Sequence, residues 1–166
     1  MNKLLAAALP ILGLVLASAP ASARVTTISG NACTPTNDSI NCATPGQWGM
    51  GNACNNAAVT VVCPITLPVP TGGSVPLTDI TFWAFDRSGS DDVFCDLHMT
   101  DTSGNDISTF NRAGTNGGNR AAVFAETIGV GSISANGSPM FASCHIPAST
   151  SSGFSHLVTF KVTTND

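Results

Sequence analysis

Beyond residue 23 the chain repeats one pattern. Short runs of alternating apolar and polar residues are separated by clusters of Gly, Pro, Asn, Asp and Ser. A side-chain period of two marks a strand with one buried face, and the clusters supply the turns. Strands are predicted near residues 25–29, 58–63, 80–86, 93–100, 107–110, 121–127, 140–146 and 156–163. Asn136-Gly137-Ser138, followed by Pro139, reads as a turn. Helix signals are nearly absent. About eight short strands predict an all-β fold, a two-sheet antiparallel sandwich or a jelly-roll-like arrangement.

Two runs carry clear phase. Val93, Cys95, Leu97 and Met99 share one face, with Asp92, Asp96 and His98 opposite. Met140, Ala142, Cys144 and Ile146 share a face opposite Phe141, Ser143 and His145. Cys95 and Cys144 thus lie in phase with apolar neighbours, which predicts a buried Cys95–Cys144 bond crossing the core. Closing a loop of about 50 residues contributes ~4 kcal/mol in the chain-entropy model, a large share of a typical domain stability of ~5–15 kcal/mol. In the 80–86 run both faces are apolar, so Trp83 is expected in the core.

The segment 30–63 breaks the pattern. Gly30-Asn31-Ala32-Cys33 recurs as Gly51-Asn52-Ala53-Cys54, and further cysteines follow at Cys42 and Cys63. A true repeat favours two local bonds, Cys33–Cys42 and Cys54–Cys63. The residues between the cysteines do not repeat, which favours nesting Cys42–Cys54 inside Cys33–Cys63. Nesting would staple a long irregular loop at two depths, and such loops are anchored or functional. Residues 33–51, including Trp48 between Gln47 and Gly49, are the least strand-like part.

Several landmarks carry a resemblance. They are Cys63-Pro64-Ile65 ending an apolar strand, Phe85-Asp86-Arg87-Ser88 closing another, Asp92-Val93-Phe94-Cys95 opening the next, and Cys144-His145-Ile146-Pro147 before the last strand. Over residues 33–163 the chain resembles a set of uncharacterised secreted proteins of Gram-negative bacteria, a set with no assigned activity. Cys33, Cys63, Cys95 and Cys144 match its basic pattern. The resemblance implies a Cys33–Cys63 bond, with Cys42 and Cys54 as an added pair.

The first residues change the picture of compartment. Lys3 precedes an apolar run over 4–16, broken only by Pro10 and Gly13, and Ala21-Ser22-Ala23 has the small-x-small form of a cleavage site. Residues 1–23 therefore read as a signal peptide, and 24–166 as a single β-sandwich domain with a disulfide-rich N-terminal loop region at 30–63. No cysteine follows Ala23 to take a lipid, and no later run approaches the ~18 apolar residues of a membrane span. The expected location is the periplasm or the medium. There an even count of six cysteines reads as three disulfides. Without Lys3 the chain holds five basic and ten acidic residues, a formal net charge of −5. That argues against nucleic acid and anionic membranes as partners.

Candidate chemistry is sparse. Asp86, Asp91 and Asp92 in one turn are weak calcium candidates, although Arg87 sits among them and Asp and Ser suit a turn anyway. Asp101-Thr102-Ser103-Gly104-Asn105-Asp106 begins like a calcium loop but has Asp106 where the glycine belongs and Arg112 where the last acid belongs. His98 and His145 should face outward, a conceivable surface pair. There is no Gly-x-Ser-x-Gly elbow, no free thiol once three disulfides form, and no phosphate-binding glycine loop. The sequence thus reads as not an enzyme, with no cofactor. The expected function is a structural or interaction module whose partner is an unknown protein or glycan. One alternative is a carbohydrate-binding module using Trp48, Gln47 and Asn52. Another is a self-assembling surface or filament subunit in which strand 156–163 pairs with a neighbour.

Overall fold

The computed structural model describes residues 23–67, 75–101, 103–115, 123–135 and 139–165. All but the last residue of the expected signal peptide at 1–23, the first two residues of the 121–127 run and the Asn136-Gly137-Ser138 turn lie outside the described residues.

The described chain forms eleven strands: β1 (Ala23–Ser29), β2 (Thr34–Pro35), β3 (Ala43–Gly46), β4 (Gly49–Asn52), β5 (Val59–Ile65), β6 (Val75–Phe85), β7 (Phe94–Thr100), β8 (Asp106–Gly114), β9 (Phe124–Ala135), β10 (Met140–Ile146) and β11 (His156–Asn165). They make a two-sheet antiparallel sandwich. One sheet has the order β3-β4-β11-β6-β9 with β1 also on β11, and the other has the order β2-β5-β10-β7-β8. Each run chosen by alternation coincides with a strand. The additional strands, β2, β3 and β4, occupy the segment that read as irregular loop.

Strand β11 is the spine of the first sheet. β6 pairs along one edge, while β4 pairs with His156 and Leu157 and β1 with residues 159–165 on the other. Both edges are therefore used within the chain. The expectation that this strand pairs with a neighbouring subunit is corrected by that pairing.

The core lies between the sheets and follows the alternation. Val59, Val61, Cys63 and Ile65 point inward from β5, and Met140, Ala142, Cys144 and Ile146 from β10. Opposite them stand Leu77, Ile80, Phe82 and Ala84 of β6 with Leu157, Phe160 and Val162 of β11. In β6 and β11 the buried face skips a residue, from Leu77 to Ile80 and from Leu157 to Phe160. Both strands have a register shift there, between Leu77 and Asp79 and between Leu157 and Thr159. A bulge inserts one residue and re-aims the side chains that follow.

Three disulfides join Cys33 to Cys63, Cys42 to Cys54 and Cys95 to Cys144. Of the two arrangements open to the N-terminal cysteines, the structure has the nested one. Cys95 and Cys144 are fully buried, but they sit directly opposite each other on neighbouring strands of one sheet. Their bond runs along the core face, not across the core as strand phase alone suggested.

Trp83 also differs from its expected place. With Phe82 and Ala84 inward, parity turns Trp83 outward, where it is half-buried against Thr159. It lines a shallow depression of about 270 Å³ with Val123, Val158 and Lys161.

Three disulfides fit an oxidising, exported compartment. Among the described residues no helix is long and apolar enough to cross a membrane.

Candidate functional site

The site begins at the β3–β4 hairpin, whose turn is Gln47-Trp48. Gly49 follows with φ +106°, in the left-handed region that favours glycine. A Cβ there would stand 2.1 Å from the Leu157 carbonyl oxygen, so only glycine lets the hairpin close onto β11. Gly51 makes room of another kind, since a Cβ there would lie 2.8 Å from Nε2 of His156. The hairpin base is closed by Cys42–Cys54 and by the Ala53 N–H donating to the Cys42 carbonyl at 2.8 Å.

Trp48 projects from this tip with 54% of its surface exposed, and Phe154, just before β11, is 48% exposed. Between them lies an open cleft of about 390 Å³. Its walls are Trp48, Phe85, Phe154 and His156, with Arg87 and Ser152 supplying polar groups. Trp48 stands edge-on to Phe85, ring centres 5.8 Å apart. Phe85 in turn is edge-on to His156 at 6.4 Å, and the Arg87 guanidinium lies 5.9 Å from the Phe85 ring centre. Phe154 closes the row, 6.3 Å from His156.

The His156 ring is held in one tautomer. Its Nδ1–H donates to the Phe154 carbonyl at 3.0 Å, so Nε2 is the acceptor when the ring is neutral. Burial holds the His156 pKa below its ordinary value, the bond to Phe154 opposes that shift, and the Arg87 charge adds to it. Near neutral pH the cleft therefore offers one fixed cation and one uncharged imidazole.

Buried Asp86 fastens the loops that carry these groups. Its Oδ1 accepts from the Ser88 N–H at 2.9 Å and the Ser155 hydroxyl at 3.4 Å. Its Oδ2 accepts from the Val93 N–H and from the Thr115 hydroxyl. The Ser155 hydroxyl also accepts from the Arg87 N–H at 2.9 Å, and the Thr150 hydroxyl donates to the Arg87 carbonyl at 2.9 Å. The 86–88 and 150–155 loops thus meet at one carboxylate, with Arg87 outward and Asp86 inward.

Asp86 accordingly has both oxygens engaged by the protein, which corrects its reading as a calcium candidate. Asp92 meets the same Thr115 hydroxyl at 3.2 Å, and Asp91 is exposed. Among the described residues no three His, Cys, Asp or Glu side chains are grouped to hold a metal ion. The Asp101 carboxylate caps its own turn, accepting from the Ser103 and Asn105 N–H groups and the Asn105 amide. The Asn105 side chain is the main cause that lowers its pKa.

Of the residues chosen for sugar binding, Trp48 stands in the cleft, and Gln47 is exposed on the same turn but outside the cleft wall. Asn52 is corrected outright. It is fully buried, its Nδ2 donates towards the carbonyls of Ala57, Ile146 and Pro147, and its Oδ1 accepts from the Cys54 N–H. An amide with its bonds used this way ties β4 of one sheet to the end of β10 in the other. His98 and His145 are two rungs apart on the outer face, each stacked on a phenylalanine of the neighbouring strand: His98 on Phe141, His145 on Phe94. The intervening rung is Asp96–Ser143, so the histidines do not form a pair.

Phe85, Arg87, Ser152 and Phe154 were missed by sequence reading. Phe85 had at most a partial signal: parity puts it on the face of Trp83, and with both faces of the run apolar only packing turns that face outward. Phe154 and Ser152 had none, because only the fold brings the 150–155 loop beside the hairpin.

No protein-family model and no curated protein matches the chain. Among solved structures, a family two carbohydrate esterase from Cellvibrio japonicus is similar with a TM-score of 0.47 and 8% identity, over 87% of this chain and 36% of that one. The enzymatically active domain of tailspike protein 4 from bacteriophage CBA120 is similar with a TM-score of 0.42 and 10% identity, over 86% of this chain and 19% of that one. The chain thus spans about a third and a fifth of their lengths. One is an esterase and the other an enzymatically active domain, and the reading of this chain as not an enzyme is withdrawn. At these scores neither likeness says what this chain does.

Proposed function

We propose that this is an exported protein, released by cleavage after Ala23, which binds carbohydrate in the cleft between Trp48 and Phe154. The observation that carries the reading is the pair of half-exposed aromatic rings lining a 390 Å³ cleft together with polar groups. Pyranose rings present apolar C–H faces and polar edges. An exposed indole covers the first, while a guanidinium and an imidazole meet the second. The hairpin and loops that carry these groups are held by Cys42–Cys54, Gly49 and Asp86, so little side-chain ordering remains to oppose binding.

A glycan array with the purified protein and Trp48→Ala tests the reading. Truncating a central aromatic anchor should weaken binding at least about tenfold, with the melting temperature nearly unchanged because Trp48 is half-exposed. Binding that survives the substitution, or no bound glycan at all, overturns it. N-terminal sequencing of the exported protein should begin at Arg24, and retention of Met1 would refute the leader.

A further inference from the structure

We infer that the ligand of this cleft is an anionic glycan, whose carboxylate or sulfate is held by Arg87 against the Phe85 ring. The inference rests on the cleft being a carbohydrate site and names the class of sugar it takes.

The first observation is charge. The chain holds ten acidic residues against six basic ones, yet the charged side chain in the cleft wall is a cation. Among the described residues the Arg87 guanidinium has no carboxylate partner; its side-chain contact is the Phe85 face. The neighbouring acid in sequence cannot serve. Asp86 is fully buried, points the other way, and has both oxygens occupied by Ser88, Ser155, Val93 and Thr115 donors. The alternation that buries Asp86 is what presents Arg87.

The second observation is placement. Arg87 is half-buried and its backbone is clamped on both sides, N–H to the Ser155 hydroxyl and carbonyl to the Thr150 hydroxyl. A guanidinium resting on an aromatic face keeps its in-plane N–H donors free, and that fork matches a planar carboxylate or two sulfate oxygens. His156 beside it is kept neutral by burial and by Arg87 itself. One anionic group therefore balances the cleft, and a neutral sugar would leave the cation unmatched. Trp48 and Phe154 would cover the ring that bears the anion.

The test measures affinity for three oligosaccharides of equal length: an oligogalacturonate, its carboxyl-reduced neutral form, and a sulfated oligosaccharide. A charge-assisted bond predicts about tenfold to a hundredfold tighter binding of one anionic form over the neutral one. That preference should shrink as salt rises from roughly 50 to 500 mM. Whichever anion wins identifies the group. Arg87→Gln should erase the preference, and Arg87→Lys should keep part of it, since charge remains but the fork is lost. The wild-type salt dependence decides the matter even if a variant folds poorly. Equal binding of neutral and anionic forms, or a preference that survives Arg87→Gln, overturns the inference. If binding of the neutral sugar is lost in Trp48→Ala, the cleft reading then still stands. If none of the three sugars binds, the anionic inference falls, and the array decides the fate of the cleft.

Discussion

The β7–β10 pair and the β3–β4 hairpin are both held by disulfides, but in different ways. β7 and β10 are regular strands whose inward residues are apolar at every second position, and Cys95–Cys144 is one more buried contact on that face. The hairpin has scarcely any apolar payload: Met50 is its buried hydrophobe, and Gly49, Gly51 and Asn52 fill the rest of β4. It is held by close backbone approach, a polar tie and a short cross-link. A core strand tolerates no exposure and so offers little to a ligand. A segment pinned by glycines and hydrogen bonds can leave Trp48 in solvent and still be rigid.

The largest effect expected from this contrast is at the disulfides. The Cys95/Cys144 double alanine variant removes a bond of sequence separation 49, and the Cys42/Cys54 variant one of 12. Chain entropy assigns them ~4 and ~3 kcal/mol, and the first also leaves space in a packed interior. Urea unfolding of the two side by side should find the Cys95/Cys144 variant less stable; the reverse order would break the comparison.

Gly49→Ala comes next. It meets both the left-handed φ and the Leu157 carbonyl, so a loss of about 2–4 kcal/mol is expected. If stability falls by less than that, the hairpin is not held by close approach. Asn52→Ala should lose about 2–3 kcal/mol by stranding buried carbonyls at the end of β10. Thermal melts would show it, and a neutral substitution would deny the amide its role as a tie between sheets.

The smallest effect is pH dependence. Because His156 has a depressed pKa, the folded state binds fewer protons than the unfolded one near the ordinary value of 6.5. Stability therefore rises with pH through that window and is lost as the pH falls below it. Asp101, also depressed, acts in a separate window below 3.8, where falling pH again removes stability. The melting temperature should drop between roughly pH 7 and pH 5, and His156→Gln should flatten that drop. A variant as pH-sensitive as the wild type would assign the effect elsewhere.

What was legible in the chain follows from what each region is made of. The eight longer strands could be read because a side-chain period of two is local, and a half-buried strand must display it. The inward aim of Cys95 and Cys144 was legible for the same reason. That they are neighbours in one sheet was not, because pairing partners lie far apart in sequence. Nor could alternation place Trp83, since both faces of its run are apolar and only packing against β11 chooses between them. β3 and β4 left no hydrophobic trace, because glycine in a strand is selected by what approaches it, here the Leu157 backbone and the His156 ring.

The candidate site divides along the same line. Trp48 could be picked from sequence as a lone indole in a glycine-flanked turn, whereas Asn52 beside it looked equally available and is buried. By itself the sequence determined a disulfide-bonded, two-sheet β domain, because strand periodicity and cysteine count are properties of the chain. Only the tertiary structure decided that Trp48, Phe85, Arg87, Phe154 and His156 share one cleft. They come from three separated segments, and what brings them together is a turn whose glycine admits a carbonyl and a buried aspartate that fastens two loops.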